Sequence, residues 1–475
     1  MQNPGTRLPA YLLAVTALCM CTPACVSAQH AQLPEAPSTR LLAQANSSNP
    51  IAAIPQTTQM PVKAAGSGEK LTLTLADAER MAQEQNPNIT VAHLLALGQA
   101  QVTREVRSGE LPTATGALTA VGTHTDSRIT AGALNNPSVY DRAAGGLTVS
   151  QLITDFGRTH HLVLSAKANA AAQMENERAT REDIALETDQ AFYRTLSAQA
   201  VLEVARQTVA DRQNTVDEIS ALTASKLRST LDLSFANLQL AQAKLLLLDA
   251  QNSVESAFAG LNAILGTEDD QRYTLVDPTP ANPEAAPADM EGMVQLAFRA
   301  RPDLASAVDS AIAAKQYNSA ERDLWMPTVS ALAAAGGTPV RADQIDSNWY
   351  FAAGANINIP VFNGFLFNAR AREASLRADA ASQQVRSLRD NIARDVRTAV
   401  LNVQNAFQRI AVTHDMLDEA NLSLDLAQTR YKIGLSGIVE LSQAQLAQTQ
   451  AEIEFTNARY SYETALAVLR FQTGQ

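Results

Sequence analysis

The chain has 475 residues and a formal net charge of −11, which argues against the basic face that a nucleic-acid binder presents. Aromatic residues make up only 5%, while Ala, Leu, Gln, Asn and Ser dominate, a composition suited to helices packed closely through small side chains. The length suffices for a large core, or for roughly two to four ordinary domains.

In chain order, residues 1–28 read as a signal peptide. Arg7 gives a positive n-region, Tyr11 to Met20 an apolar h-region too short to span a bilayer, and Val26-Ser27-Ala28 a small-residue cleavage site. All three cysteines (Cys19, Cys21, Cys25) lie in this segment. A rival reading makes one of them a lipidated cysteine, but Thr22-Pro23-Ala24 and Leu18-Cys19-Met20 fit a lipobox poorly. On either reading the protein leaves the cytoplasm. Residues 29–70, rich in Pro, Gln, Ala and Ser, read as a flexible leader. No apolar run of about 18 residues follows, so any membrane insertion must use a β-barrel, because lipid tolerates no open sheet edge.

The remainder falls into a first repeat (71–266), a Pro-rich linker (267–288) and a second repeat (289–475). Asn86-Pro87-Asn88 matches Arg301-Pro302-Asp303 and Leu111-Pro112 matches Met326-Pro327, both 215 positions apart. Asp155 and Asn363, Asp232-Leu233 and Glu440-Leu441, Ala236 and Ala444, and Gly266 and Gly474 match at an offset of 208. A nearly constant offset indicates one structural unit used twice. Each copy predicts a short helix (Leu75 to Gln85; Met290 to Ala300), the first opened by a Thr74/Asp77 pair resembling a capping box. A helix of about 22 residues follows (Asn88 to Glu110; Asp303 to Trp325), ended by Pro112 and Pro327. Two strands come next in each copy, at about 113–127 and 143–153, and at about 328–340 and 349–361. Long helical hairpins close the copies at about 158–266 and 366–474. Residues Arg158 to Ala259 contain neither Gly nor Pro. In the second hairpin Val385, Leu388, Ile392, Val396, Val403, Phe407 and Ile410 recur at the spacing of a packed helix seam. Gly434 and Gly437 mark its turn, and the offset of 208 puts the first hairpin's turn near Lys226 to Ser229, where no Gly stands.

The last strand alternates most clearly. Ala353, Ala355, Ile357, Ile359 and Val361 point one way, while Ala352, Gly354, Asn356 and Asn358 point the other, the pattern of a membrane-barrel strand, though also of a soluble sandwich. Trp325, Trp349, Tyr350, Phe351, Phe362 and Phe365 flank the strands as a candidate aromatic girdle, the alternative being ordinary core packing. At about 1.5 Å per residue, the helix before the strands and the return helix, stacked end to end, reach about 88 Å, against about 98 Å for the long helix. Four strands cannot close a barrel, for which about eight is the minimum. The chain must therefore oligomerise if its strands lie in lipid. Ser/His/Asp, H-E-x-x-H, P-loop and Rossmann patterns are absent, and the His160-His161 pair cannot put both rings on one helix face. The sequence thus points to no enzyme, no cofactor and no metal.

Arg430-Tyr431-Lys432-Ile433-Gly434-Leu435-Ser436-Gly437-Ile438-Val439-Glu440-Leu441 is similar to the R-Y-x-x-G-x-x-x-x-x-D-L/V tip signature of the TolC-type outer-membrane efflux proteins. Leu231-Asp232-Leu233 resembles its first-hairpin counterpart, and Pro360-Val361-Phe362-Asn363-Gly364 the family's entry from strand into long helix. The resemblance covers residues 71–474. It implies a homotrimer, with a twelve-stranded outer-membrane barrel continuous with an α-helical periplasmic tunnel. It also implies a role as exit duct of a tripartite efflux or type I secretion system, with a periplasmic adaptor and an inner-membrane pump as partners. It assigns a tunnel gate to Tyr431 with Asp232 as acceptor, and a charged constriction to Glu440. Gln443 stands where relatives often carry a second acid, and Ser436 where they carry a gate arginine. The competing reading is a periplasmic coiled-coil scaffold without a pore, which needs no amphipathic strands.

Overall fold

The computed structural model describes residues 72–122, 141–267, 271–280, 289–340 and 347–475. The expected signal peptide, leader and cysteines lie outside the described residues, as do 123–127 of the first expected strand and half of the linker.

The first half runs β1 (Thr72–Leu73), α1 (Leu75–Gln85), α2 (Pro87–Ser108), β2 (Thr113–Val121), β3 (Arg142–Thr154), α3 (Arg158–Ala224) and α4 (Thr230–Leu265). The second runs β4 (Thr274–Leu275), α5 (Met290–Ala300), α6 (Pro302–Arg322), a 3-10 turn (Asp323–Trp325), β5 (Thr328–Val340), β6 (Trp349–Asn358), α7 (Leu366–Lys432) and α8 (Ile438–Thr473). Both long helices have 67 residues and both return helices 36.

Local chemistry explains the boundaries. The Thr74 hydroxyl accepts from the Asp77 amide at 3.2 Å and caps α1. The Asn86 side chain accepts from the Asn88 amide at 2.9 Å, and Pro87, its φ already helical, starts α2. That is one residue before the start expected from the sequence. The second long segment before the strands loses its last residues, 323–325, to a 3-10 turn. The last strand ends at Asn358 rather than 361, because Pro360 has no N–H for the ladder. Each long helix begins after two consecutive left-handed residues, Phe156 and Gly157 in one half, Gly364 and Phe365 in the other.

The stacking arithmetic closes in the fold. Helix α3 is about 100 Å long, α2 about 33 Å and α4 about 54 Å. At the C-terminus of α4, a Cβ on Gly266 would lie 2.7 Å from the Gln85 carbonyl, so α4 abuts the α1–α2 joint. Gly474 meets Ala300 in the same way. Asn86, buried at that joint, also donates to the Ile264 carbonyl at 2.9 Å. The main core lies here, where Phe192, Leu261 and Leu265 are fully buried with Ile184, Val254, Phe258 and Tyr273. A separate apolar cluster, including Ile219, Leu240, Tyr431 and Leu441, joins the hairpins near their tips.

Strands and helices share one lateral order. The sheet runs β2-β3-β5-β6, antiparallel throughout. Beneath it α2 packs on α3, α3 on α6 and α6 on α7. Toward the tips the order becomes α4, α3, α8, α7.

Candidate functional site

Register decides what the sheet can do. Residues paired across a ladder point to the same face. The pairings Ala114–Val149, Leu147–Ala335, Val149–Ala333, Ala335–Phe351 and Val329–Ile357 therefore collect apolar side chains on one face. Thr113–Ser150, Thr115–Thr148, Ser330–Asn356 and Thr328–Asn358 collect hydroxyls and amides on the other. The two-sidedness read from β6 alone thus extends across all four strands. Both outer strands, β2 and β6, have one edge without a partner among the described residues.

Trp349 and Phe351 sit on the apolar face at one end of β6, both exposed. Trp325, Phe362 and Phe365 lie at the other end of the sheet, where Trp325 makes an edge contact with Phe367 and Phe362 one with Phe365. Tyr350 does not join them. It shares the face of Asn356 and Asn358, with its ring lying over Gly336 and its hydroxyl over Gly146. The period of two separates it from both its neighbours, a signal present in the sequence that proximity to the strand end obscured.

At the hairpin tips, both long helices end in the same motif. Leu435 N donates to Arg430 O at 2.8 Å and Gly434 N to Tyr431 O at 3.0 Å, with Gly434 left-handed at φ 79°. In the first hairpin Leu227 N donates to Leu222 O and Lys226 N to Thr223 O, both at 2.9 Å, and Lys226 takes φ 62° without being a glycine. Gly437 is extended and precedes α8; its counterpart Ser229 caps α4 by accepting from Leu231 N at 3.1 Å.

Tyr431 is 5% exposed, and its hydroxyl lies 3.4 Å from Asp232 Oδ2, longer than the roughly 2.5–3.0 Å usual between two oxygens and so a weak contact. Burial pushes its phenol pKa up, and the Asp232 charge adds to the shift. Arg228, on the turn of the first hairpin, stacks over the Tyr431 ring at 4.1 Å and donates from Nη2 to the Tyr431 carbonyl. Sequence reading missed this residue. The offset of 208 carries Arg228 onto Ser436, the position where the resemblance implied an arginine, and that mapping was the available signal. Ser436 itself is half-buried, and its hydroxyl has no partner among the described residues. Glu440, to which the resemblance assigns a charged constriction, is met at 3.1 Å by Arg430 Nε of its own hairpin, across the tip turn. Gln443 is exposed one turn further along α8. Arg212, also unanticipated, is buried and bridges α3 to α8 through the Gln445 carbonyl (2.8 Å) and the Thr449 hydroxyl (3.2 Å). Beside it, a cavity of about 300 Å³ is lined by Asp211, Glu218, Gln428, Tyr431, Lys432 and Gln445, from α3, α7 and α8.

Further along α3, Asp189 has one carboxylate oxygen buried with no partner. Desolvation, with Glu79 facing it, pushes its pKa up to about 7 against the opposing charge of Arg470. His161 Nδ1 meets Asp323 at 2.7 Å and ties the start of α3 to the 3-10 turn. Among the described residues no helix is long and apolar enough to cross a membrane.

The family model described as "Outer membrane efflux protein" matches residues 79–267 and 293–475. The outer membrane protein TolC of Escherichia coli (strain K12) is 23% identical over 338 residues, which cover 67% of this chain and 66% of that protein. Among solved structures, CusC aligns with a TM-score of 0.75 at 18% identity, covering 84% of this chain and 92% of the other. The CmeC outer membrane channel of Campylobacter jejuni aligns at 0.73 and 16% identity, covering 84% and 85%.

Proposed function

The chain belongs to the outer membrane efflux protein family, and on that premise we propose that it is an outer-membrane exit duct. It passes solutes from an inner-membrane pump to the exterior, as part of a tripartite efflux or type I secretion system. The observation that carries this reading is the two-faced sheet with two open edges, set above four helices in the same order. In lipid an unpaired ladder edge is too costly to leave open. Strand β6 of one copy therefore pairs with β2 of the next. Three copies make a twelve-stranded barrel, wide enough for a water-filled bore. The apolar face meets lipid and the hydroxyl and amide face lines the bore. The ten residues of β6 extend about 34 Å, or about 24 Å of membrane at a tilt near 45°, which suits the apolar band of such barrels. Trp349 and Phe351 belong to one aromatic girdle, and Trp325, Phe362 and Phe365 to the other.

The helical edges support the same assembly. Leu94 and Leu95 on α2, Leu245 and Leu248 on α4, and Leu401, Leu422 and Leu426 on α7 are exposed. These rows lie on opposite edges of the helix layer, so head-to-tail association covers both and closes into a ring. The resulting tunnel extends into the periplasm, where the hairpin tips meet the adaptor protein of the pump. Tyr431, Asp232, Ser436, Glu440 and Gln443 form its constriction.

Mass measurement in mild detergent, followed by conductance in a planar bilayer, tests the proposal. A trimer that conducts is expected. A monomer, or an oligomer that never conducts, would return the chain to the poreless scaffold reading.

A further inference from the structure

We propose that Arg228 is the residue that holds the tunnel gate closed, and that the lock is one-sided, carried by the first hairpin of each chain. The inference rests on the exit-duct reading. Three observations converge on it. Arg228 stacks its guanidinium on the Tyr431 ring at 4.1 Å and donates to the Tyr431 carbonyl. That carbonyl lies in the last turn of α7, where the helix dipole favours a cation. One side chain thus binds both the ring and the backbone of the second hairpin.

The second observation comes from the internal offset. Arg228 and Ser436 are equivalent positions, as are Thr223 and Tyr431. In the proposed ring of three copies the Arg228–Tyr431 contact would have a pseudo-symmetric mate between neighbouring copies, Ser436 of one against the position of Thr223 in the next. That pair has neither ring nor charge, and the Ser436 hydroxyl has no partner among the described residues. Two equivalent hairpins thus carry one strong contact instead of two.

The third concerns the remaining candidates for the lock. Arg430 is engaged by Glu440 within the second hairpin. Asp232 reaches the Tyr431 hydroxyl only at 3.4 Å. The Arg228 bond to the carbonyl is the closer contact, and the ring stack adds to it. Behind them lies the polar cavity lined by Glu218, Gln428 and Gln445.

A hydrogen bond from a charged donor shifts an equilibrium by roughly ten- to a hundredfold, here once per chain. The test is single-channel conductance of the full-length trimer in a planar bilayer, with detergent mass as the folding control. Arg228→Ser, which removes both contacts, is expected to raise conductance most; Tyr431→Leu, which loses the ring but keeps the carbonyl, should raise it part of the way, and the double substitution should add little to Arg228→Ser. Tyr431→Phe, which keeps ring and carbonyl, should raise it less, and Arg228→Lys, which keeps the charge but not the planar stack, should fall between. If Tyr431→Phe opens the channel as far as Arg228→Ser, the Asp232 bond is the lock and the proposal fails. If the wild type conducts and Arg228→Ser leaves conductance unchanged, Arg228 holds nothing and the proposal also fails. A wild type that never conducts overturns the exit-duct reading instead.

Discussion

The pairing of Glu440 with Arg430 extends the prediction that the sequence alone makes for the constriction. A free Glu440 in each of three chains would give a ring of three negative charges, and Glu440→Gln would only weaken cation preference. In the structure Glu440 faces Arg430 at 3.1 Å, with side chains 46% and 54% exposed. In bulk water such a pair attracts by about 1.3 kcal/mol, and an exposed pair contributes at most about 1 kcal/mol net. Removing either partner therefore leaves the tip folded. What changes is the field in the bore. With both present the three pairs sum to zero. Glu440→Gln leaves about three uncompensated positive charges and Arg430→Gln about three negative ones, in a narrow space where fixed charge sets permeability. The assay is the reversal potential across a planar bilayer under a KCl gradient, at about 0.01 M on the dilute side, where the Debye length is about 30 Å. Glu440→Gln should move it toward anion preference and Arg430→Gln toward cation preference. Shifts of the same sign, or an effect of Glu440→Gln alone, would refute the pairing as the source of the ring's charge.

Two further outcomes follow from the geometry away from the tips. Asp189 has its pKa raised from 3.8 to about 7 by burial, with Glu79 adding to the shift. The folded chain therefore binds that proton more tightly than the unfolded one, so stability from this site is full below about pH 4, declines as pH rises, and levels off above about pH 7. Asp189→Asn should remove this slope and raise the melting temperature relative to wild type at pH 8; parallel melting curves from pH 4 to 8 would contradict it. At Gly146 a Cβ would collide with the Tyr350 hydroxyl and lie 2.8 Å from the Ala335 carbonyl. Gly146→Val should cost about 1–3 kcal/mol by overpacking and swing Tyr350 off the wall, lowering conductance; Tyr350→Ala in the same chain should restore the conductance, and a failure to do so would remove Tyr350 from the bore.

The sequence by itself determined what depends on short-range pattern. Period-two alternation set the strands, the absence of Gly and Pro from 158–259 set a long helix, and Thr74, Asn86 and Pro87 set helix starts within a residue. The internal offset located a turn near Lys226, although no glycine marks it. Pattern also erred locally: Pro360 shortened the last strand, and Tyr350 belonged by parity to the face opposite its neighbours. The contacts between Arg228 and Tyr431, Arg212 and Gln445, and Asn86 and Ile264 were decided by the tertiary structure alone. Each joins residues some 180 to 230 positions apart. Which side chains meet at such a distance depends on the axial register of one helix against another. That register is fixed by how Ile219, Leu240, Tyr431 and Leu441 interlock at the tip and how Gly266 seats against Gln85. Hydrophobic periodicity says that a face is buried; the packing of particular side chains says against what.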